Sequence, residues 1–157
     1  MEKRRLIVVT SVQKAILFFG RNLKNIYDIS TSAKGLGCEI DSNKTPTGIH
    51  KIAAKIGKDE PIGTVFDSRI PTGEVWSSDG TNPPSLLREN LILTRILWLE
   101  GTEPQNQSTY ERYIYIHGTS REDKIGQPNS HGCICMKNID IIQIFDQLHE
   151  GDEVVIV

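Results

Sequence analysis

The sequence predicts a mainly β domain, a sandwich or a partly closed barrel, with one helix near the C-terminus. Most of the chain consists of short segments rich in β-branched and aromatic residues, separated by closely spaced turn signals. Only one segment has apolar residues at helical spacing. The chain shows no internal repeat, and its 157 residues are enough for one domain with its own core. We therefore predict a single domain over residues 1–157.

The first thirty residues are predicted to form three strands that pair in sequence order. These strands cover residues 5–10, 15–19 and 23–30. The connections between them are only a few residues long, which favours antiparallel pairing of neighbours. Residues 33–43 are rich in glycine and polar turn residues and are expected to form a loop. A turn at residues 45–48 then starts a further strand over residues 49–55.

The middle of the chain gives a less regular pattern, because proline and glycine interrupt residues 61–84 repeatedly. Residues 91–99 fit a helix or a strand by composition, and we predict a strand. The β-branched and aromatic residues at 113–116 predict another strand. Alternation along this strand places Tyr115 and His117 on the same face. A histidine is therefore expected at the strand end, on an aromatic face.

One segment near the C-terminus is predicted to form a helix. Asn138 is the expected N-cap, and Asp140 lies in the first turn, where the helix dipole favours a negative charge. An apolar stripe at helical spacing is formed by Ile141, Ile144, Phe145 and Leu148. Gly151 is expected to close the helix, and a last strand is predicted over residues 154–157.

Composition and charge argue against several classes of protein. Hydrophobic residues make up 38% and charged residues 24% of the chain, which is typical of a folded globular domain. The formal net charge of -2 argues against a nucleic-acid partner, because phosphate binding usually needs a basic face. No apolar run approaches the roughly 20 residues of a membrane span.

The N-terminus has some features of a secretory signal. Basic residues at positions 3–5 precede an apolar run, but that run ends at Thr10 and is too short for a signal core. We interpret the segment as the first strand. Because no export signal is visible, the sequence leaves both the cell envelope and the cytoplasm open as locations.

The chain contains three cysteines, Cys38, Cys133 and Cys135. An odd number cannot form a complete set of disulfides. A bridge between Cys133 and Cys135, which are separated by one residue, would be strained. At least one free thiol is therefore expected.

The residues best suited to catalysis lie between His117 and Cys133. A thiol is a strong nucleophile only when deprotonated, and a nearby imidazole is its usual activator. Gly132 lets the backbone bend sharply before Cys133, and N–H groups at such a turn can form an oxyanion hole. An inert buried cysteine is one alternative. A zinc site is another, with His117, His131, Cys133 and Cys135 as its four ligands. However, Cys133 and Cys135 are separated by one residue, which is less typical of zinc sites than C-x₂-C, so no metal is predicted.

The same cluster resembles the signature of a known family, the L,D-transpeptidase catalytic domains. The match consists of Ser130-His131-Gly132-Cys133-Ile134, preceded by Ile116-His117-Gly118-Thr119. Ile29-Ser30-Thr31 and Thr45-Pro46-Thr47-Gly48 are similar to two further segments of the family. Glu150-Gly151-Asp152-Glu153-Val154 is similar to its ending, so the resemblance extends over nearly the whole chain.

This resemblance implies a fold and a reaction. The fold is a mixed β-sandwich with one helix before the last strand and with the catalytic cysteine in a cleft. The substrate is the tetrapeptide stem of bacterial peptidoglycan. The cysteine attacks the carbonyl of the diaminopimelate residue that precedes the terminal D-alanine, D-alanine leaves, and an acceptor amine resolves the thioester. No cofactor is needed, and the chemistry implies the periplasm or cell envelope.

The resemblance also implies a role for each residue of the motif. Cys133 is the expected nucleophile and His117 its general base, with the carbonyl of Gly118 orienting the imidazole. Backbone N–H groups around Gly132 and Cys133 would hold the oxyanion. The residues expected to shape the pocket are Ser130 and His131.

One position departs from the pattern of the family. The family usually has arginine or asparagine two residues after the nucleophile, where this chain has Cys135. A thiol cannot pair with a substrate carboxylate as arginine does. Arg95 is therefore the first candidate for a substrate-binding charge, with Arg121 as the second.

Two alternative functions remain open, and only the second of them follows from the departure at Cys135. In the first, water resolves the thioester, and the protein is an L,D-carboxypeptidase or an amidase. In the second, the chain is a wall-binding domain with weakened catalysis. The oligomeric state and the identity of the acceptor amine are not predicted.

Overall fold

The computed structural model describes residues 2–157, and within this range it contains ten β-strands and one α-helix. The strands are β1 (Arg4–Val9), β2 (Lys14–Phe19), β3 (Asn22–Ser30), β4 (Gly48–Ile56), β5 (Thr64–Asp67), β6 (Ile70–Val75), β7 (Ile92–Gly101), β8 (Tyr115–Gly118), β9 (Ile134–Met136) and β10 (Glu153–Ile156). The helix is α1 (Asn138–Gln147). Three single 3₁₀ turns lie at Pro84–Leu86, Pro104–Asn106 and Glu122–Lys124.

Eight of the strands form a closed ring. Their order is β4, β10, β1, β2, β3, β9, β8 and β7, and β7 pairs again with β4. The pairs β1–β10 and β8–β9 are parallel, and the other neighbours in the ring are antiparallel. The remaining strands, β5 and β6, form a hairpin that joins β7 through β5. The fold is therefore a mixed barrel with an attached hairpin.

The mixed β-sandwich implied by the resemblance is corrected to a closed barrel. The closing pair runs from His50, opposite Gly101, to Ile56, opposite Ile96. Strand patterns predict which face of each strand is buried, but they do not specify which strands are partners. The sequence-based choice between a sandwich and a barrel is therefore decided by this long-range pairing. The mainly β class and the single helix before the last strand are confirmed.

The core occupies the inside of the barrel. Alternate residues of the ring strands point inward, as period-two alternation requires, and they form one buried apolar cluster. The apolar stripe of α1 belongs to the same cluster, with Ile141 and Ile144 fully buried and Phe145 nearly so. The helix is therefore held by the barrel core. Its first residue, Asn138, lies next to Gly118 of β8.

Most predicted strands are confirmed, with ends shifted by one or two residues. Residues 91–99, which fit a helix or a strand, form the greater part of β7. The hairpin β5–β6 was not predicted, because Pro71 and Gly73 within it give turn signals. The strand predicted over 113–116 begins only at Tyr115, because Tyr113 has a φ of 56° and lies outside the β region.

Two predicted helix ends are wrong. Lys137 occupies the N-cap position, and Asn138 is the first helical residue. The Asn138 amide is instead bonded to a buried network beside β8, which competes with capping. The helix ends at Gln147, before Gly151, which lies in the turn that leads to β10.

No helix within residues 2–157 combines the length and the apolar character that a membrane span requires.

Candidate active site

The residues of the predicted cluster come together because β8 and β9 are adjacent parallel strands. His117 of β8 lies opposite Cys135 of β9, and Cys133 immediately precedes β9. Cys133, Cys135 and His117 all line one cavity of about 220 Å³, which we call the thiol cavity. Its full lining is Glu89, Asn90, Leu91, Ile92, His117, Thr119, Arg121, Asn129, Ser130, His131, Cys133 and Cys135.

The turn before Cys133 depends on Gly132. Its φ of 130° lies in a region that side chains rarely adopt, and a Cβ atom there would lie 3.2 Å from Ile114 Cδ1 and 3.2 Å from the carbonyl oxygen of Lys44. The Ser130 hydroxyl accepts a hydrogen bond from the Gly132 N–H at 3.2 Å and donates one to the Cys133 carbonyl. The motif therefore folds as a turn whose backbone is hydrogen-bonded to its own Ser130 side chain, and this turn holds Cys133 at the cavity wall.

A second segment fixes this turn from outside. The buried hydroxyl of Thr45 donates to the Gly132 carbonyl at 2.9 Å and accepts from the Ser32 N–H at 2.9 Å. Ser32 also forms an isolated β-bridge with Ser130. The Ser130 N–H donates to the Thr31 carbonyl at 2.9 Å, so both upstream segments that resemble the family lie against the cysteine turn. Thr45 bonds this turn to Ser32, the residue that follows the first segment.

The Cys133 thiol lies between two backbone groups of the segment that leads into β8. Its Sγ accepts from the Tyr115 N–H at 3.3 Å and donates to the Tyr113 carbonyl at 3.5 Å. Burial raises the pKa of the Cys133 thiol to about 11, although the Tyr115 N–H and the charge of Arg112 act in the opposite direction. Without a substrate the thiol is therefore protonated at neutral pH.

His117 is oriented for the role of a base. Its Nδ1 lies 2.6 Å from the Gly118 carbonyl, and because a carbonyl can only accept, Nδ1 carries the proton. In the neutral ring Nε2 is then the free acceptor. Burial lowers the pKa of His117, opposed by the Gly118 hydrogen bond, so the ring is neutral near pH 7.

The thiol in contact with Nε2 of the imidazole is that of Cys135, not that of Cys133. His117 Nε2 lies 3.9 Å from Cys135 Sγ, and across residues 2–157 no hydrogen bond joins His117 to Cys133. Burial raises the pKa of Cys135 well above its usual value, and a thiolate at Cys133 would act in the same direction. Alternation predicts that both cysteines share a face, but the pairing of Cys135 with His117 depends on strand register.

Arg95 does not line the thiol cavity. Its guanidinium is buried, donates to the carbonyls of Glu60 and Thr94, and lies 5.5 Å from the centre of the Phe145 ring. A bulge at this point of β7, where Thr94 has a φ of 76°, breaks the alternation and turns Arg95 away. The arginine that lines the cavity is Arg121.

Arg121 is held at the cavity rim by acidic neighbours. Its guanidinium lies 2.6 Å from Glu89 and 3.1 Å from Asp123. Both carboxylates are largely exposed, so these ion pairs are weak and can rearrange. His131, which is exposed, lines the thiol cavity and also a neighbouring cavity that contains Arg112 and Tyr113.

Sequence reasoning missed the part that Asn138 plays behind the imidazole. A Cβ atom on Gly118 would lie 2.3 Å from Asn138 Oδ1, so the two residues are in close contact. The Asn138 amide donates to the Thr119 carbonyl at 2.9 Å and accepts from the Thr94 hydroxyl at 2.5 Å. These bonds hold the Gly118–Thr119 backbone, and hence the carbonyl that orients His117.

The four side chains considered as zinc ligands, His117, His131, Cys133 and Cys135, all line the thiol cavity. Within the part of the chain described, no three histidine, cysteine or acidic side chains are grouped as metal ligands.

Comparison with known proteins agrees with the sequence resemblance. The YkuD family, described as the L,D-transpeptidase catalytic domain, matches residues 3–156. YqjB of Bacillus subtilis strain 168, named as a candidate L,D-transpeptidase, is 29% identical over 101 residues. That alignment covers 57% of this chain and 53% of YqjB, so the chain spans about half the length of this curated relative.

Solved structures show the same fold at low sequence identity. An L,D-transpeptidase from Mycobacterium smegmatis has a TM-score of 0.63 and 15% identity, covering 99% of this chain and 59% of that one. L,D-transpeptidase 3 from Mycobacterium tuberculosis, in complex with a faropenem-derived adduct, has a TM-score of 0.63 and 13% identity, covering 99% of this chain and 61% of that one. Because the family match extends over nearly all of residues 2–157, the chain belongs to the family of L,D-transpeptidase catalytic domains.

Proposed function

We propose that this domain is a peptidoglycan L,D-transpeptidase in which Cys133 is the nucleophile and His117 the base. The observation that carries the proposal is the shared cavity. In it the Cys133 thiol, just before β9, lies beside a neutral imidazole on the adjacent strand β8, whose unprotonated Nε2 has only a long contact of 3.9 Å with Cys135 Sγ. A neutral base of this kind can take the proton of a thiol as the thiol attacks a carbonyl. Family membership supports the same reaction class.

In the first step the Cys133 sulfur bonds to the diaminopimelate carbonyl, and its proton passes to His117 Nε2. The Gly118 carbonyl, already bonded to Nδ1–H, stabilises the imidazolium that forms. Because Nε2 faces Cys135 in the free protein, the imidazole must shift toward Cys133 when substrate binds. Catalytic hydrogen bonds often tighten only in the substrate complex.

The oxyanion needs N–H donors near the sulfur. The Gly132 N–H is already bonded to Ser130, so we assign this role to the N–H of Cys133 and to that of Tyr115, which points at Sγ. When the tetrahedral intermediate collapses, the C–N bond breaks and D-alanine takes a proton from His117. The products of this step are D-alanine and a Cys133 thioester.

An acceptor amine then attacks the thioester carbonyl and gives a proton to His117. The C–S bond breaks, and the departing Cys133 sulfur takes that proton from His117. The products are a new amide bond and free enzyme. We assign the recognition of a stem carboxylate to Arg121, because it lines the cavity and its present ion pairs are exposed. None of these steps requires a cofactor, and a peptidoglycan substrate implies action at the cell envelope.

Mass spectrometry of the intact protein mixed with a tetrapeptide stem tests the proposal. We expect loss of D-alanine and a covalent tripeptide adduct on Cys133 in wild type, and no adduct in Cys133→Ala. Cys38→Ala is the matched control and should acylate normally, because Cys38 lies outside the thiol cavity. An adduct that persists in Cys133→Ala would refute the nucleophile assignment.

The same experiment separates transfer from hydrolysis. Added amine should shorten the life of the adduct and appear in the product if the protein is a transpeptidase. Decay at a rate independent of amine, with free tripeptide as the product, would identify an L,D-carboxypeptidase.

A further inference from the structure

Four aromatic side chains gather beside the cysteine turn. The ring of Trp98 on β7 stacks on Tyr110 at 4.1 Å between centroids, and lies 5.6 Å from the Tyr115 ring and 5.8 Å from the Tyr113 ring. We call Trp98, Tyr113 and Tyr115 the aromatic cage. Tyr113 is 54% exposed and Tyr115 is buried, so the cage is open on one side.

The cage contains a cation supplied by the chain itself. The Arg69 guanidinium lies 4.8 Å from the centre of the Trp98 ring and 5.1 Å from that of Tyr113, and it donates to the Tyr115 hydroxyl at 3.0 Å. No ion pair of Arg69 is found among residues 2–157. The arginine is therefore held by ring faces and one phenol, a pattern that selects for positive charge.

The hairpin that carries Arg69 is anchored by β5, which is largely buried and paired with β7, whereas its second strand, β6, is weakly attached. Ser68 and Arg69 form the two-residue turn between β5 and β6, both with positive φ, as tight hairpins require. All six residues of β6 are exposed, and this strand pairs only with β5. A segment with little buried surface and one neighbouring strand can move away at low cost.

The aromatic cage borders the thiol directly. Cys133 Sγ is bonded to the backbone of Tyr113 and Tyr115, and Cys133 packs against the apolar cluster that contains the Tyr115 ring. A cation in the cage therefore contacts the same tyrosine residues that contact the Cys133 sulfur. Exposed cation–π contacts are weak, so a competing cation can displace Arg69.

We propose that the aromatic cage binds the primary ammonium group of a peptidoglycan stem and that Arg69 occupies this site in the absence of substrate. The inference rests on the proposed function for the source of the cation, and it deepens that function by naming the group recognised. Two sources share this chemistry: the side-chain ammonium of the diamino acid whose carbonyl is attacked, and the acceptor amine before it loses its proton. Both belong within reach of the thiol.

The first test measures binding without catalysis. The chain has two tryptophans, so the indole N–H signal of Trp98 can be assigned by NMR with Trp76→Phe. We expect n-butylammonium at constant ionic strength to shift this signal, and n-butanol to leave it unchanged. Arg69→Ala should bind the ammonium several-fold more tightly, and adding Tyr113→Leu should abolish the gain. Equal responses to the charged and neutral probes, or unchanged affinity in Arg69→Ala, would overturn the proposal.

The second test identifies the source of the ammonium. If it is the donor side chain, Arg69→Ala should acylate faster with a free stem amine and not with the N-acetylated stem. If it is the acceptor, Arg69→Ala should lower the KM for the amine and leave acylation unchanged. The exposed Lys58, changed to alanine, controls for the loss of one positive charge. Identical effects of Arg69→Ala on acylation by the free and the acetylated stem, together with an unchanged KM for the acceptor amine, would refute a role for the ammonium.

The two proposals fail in different ways. If Cys133 is never acylated, the proposed function is wrong, while the NMR titration still decides whether the cage binds an ammonium ion. If acylation occurs but neither probe nor substrate charge affects Trp98 or Arg69→Ala, the cage proposal alone is wrong.

Discussion

The Cys133 thiol is half-buried and resists ionisation, although the proposed mechanism makes it the nucleophile. Burial raises its pKa to about 11, and the imidazole of His117 is neutral for the same reason. Because the Cys133 thiol and the His117 imidazole are both neutral, the free protein does not bear the desolvation free energy of a thiolate–imidazolium pair. In the proposed mechanism, reactivity therefore depends on proton transfer during attack, and not on a preformed thiolate.

This state of Cys133 predicts a pH profile. Because the pKa of the Cys133 thiol is raised, the protonated thiol predominates at neutral pH. The thiolate fraction should then increase about tenfold per pH unit until the pH reaches that pKa. The rate of Cys133 alkylation by iodoacetamide should therefore keep rising from pH 7 to about 10, measured by mass spectrometry of the modified peptide. A plateau near pH 7 to 8 would show a preformed thiolate–imidazolium pair instead.

His117 is predicted to matter far more than the other histidine of the cavity. His117→Ala should reduce the rate of Cys133 acylation by a tetrapeptide about 100-fold or more, the usual contribution of a general base. His131→Ala should cost much less, because His131 is exposed at the rim. Pre-steady-state acylation rates measure both, and equal losses would contradict the assignment of the base.

At the scale of elements, the cysteine turn is held by a neighbouring segment as well as by its own residues. Gly132 and Ser130 fix the turn locally, while Thr45 bonds it to the segment around Ser32. On the other side of the cavity, Asn138 at the start of α1 supports the backbone that orients His117. Cys133 and His117 are thus positioned by different elements.

Thr45→Val tests the first of these supports. The substitution keeps the shape of the side chain but leaves the buried Ser32 N–H and Gly132 carbonyl without this partner. We expect a loss of about 1–3 kcal/mol in the free energy of unfolding, measured by urea denaturation, and slower acylation of Cys133.

Thr47→Val is the matched control for the Thr45 substitution. The Thr47 hydroxyl has only a long contact of 3.7 Å with Cys38 Sγ, so its removal should change stability by well under 1 kcal/mol. If the two valine variants are equally stable, the Thr45 hydroxyl does not support the turn.

At the scale of the whole molecule, ring closure separates the protein into parts of different stability. Each strand of the ring is paired on both sides, and the core lies inside it. The hairpin strand β6 has one partner and no buried residue. The proposed movement of Arg69 therefore requires only local opening, while the barrel that carries Cys133 and His117 stays intact.

Hydrogen exchange should reveal this division. Backbone amides of β6 are expected to exchange first, and amides of β1, which pairs with both β2 and β10, should be among the last. Exchange followed by mass spectrometry gives the order. Protection of β6 equal to that of β1 would show that the hairpin and the barrel open together.

The sequence by itself determined the parts of this protein that depend on near neighbours. The contiguous turn from Ser130 to Cys133 and the shared face of Tyr115 and His117 follow from backbone sterics and from alternation, which act over a few residues. The alternating strands and the apolar stripe of α1 are predictable for the same reason. The family signature lies within these local segments.

Only the tertiary structure decided which of these segments meet. Two of these meetings are strand pairings between residues far apart in the chain: the register that sets His117 opposite Cys135, and the β4–β7 pairing that closes the barrel. The bulge that turns Arg95 away from the thiol cavity lies in the pairing of β7 with β8. The aromatic cage around Arg69 depends on the same long-range contacts. Such pairings depend on the apolar burial and the hydrogen bonding of the whole folded chain, and a local sequence pattern does not contain that information.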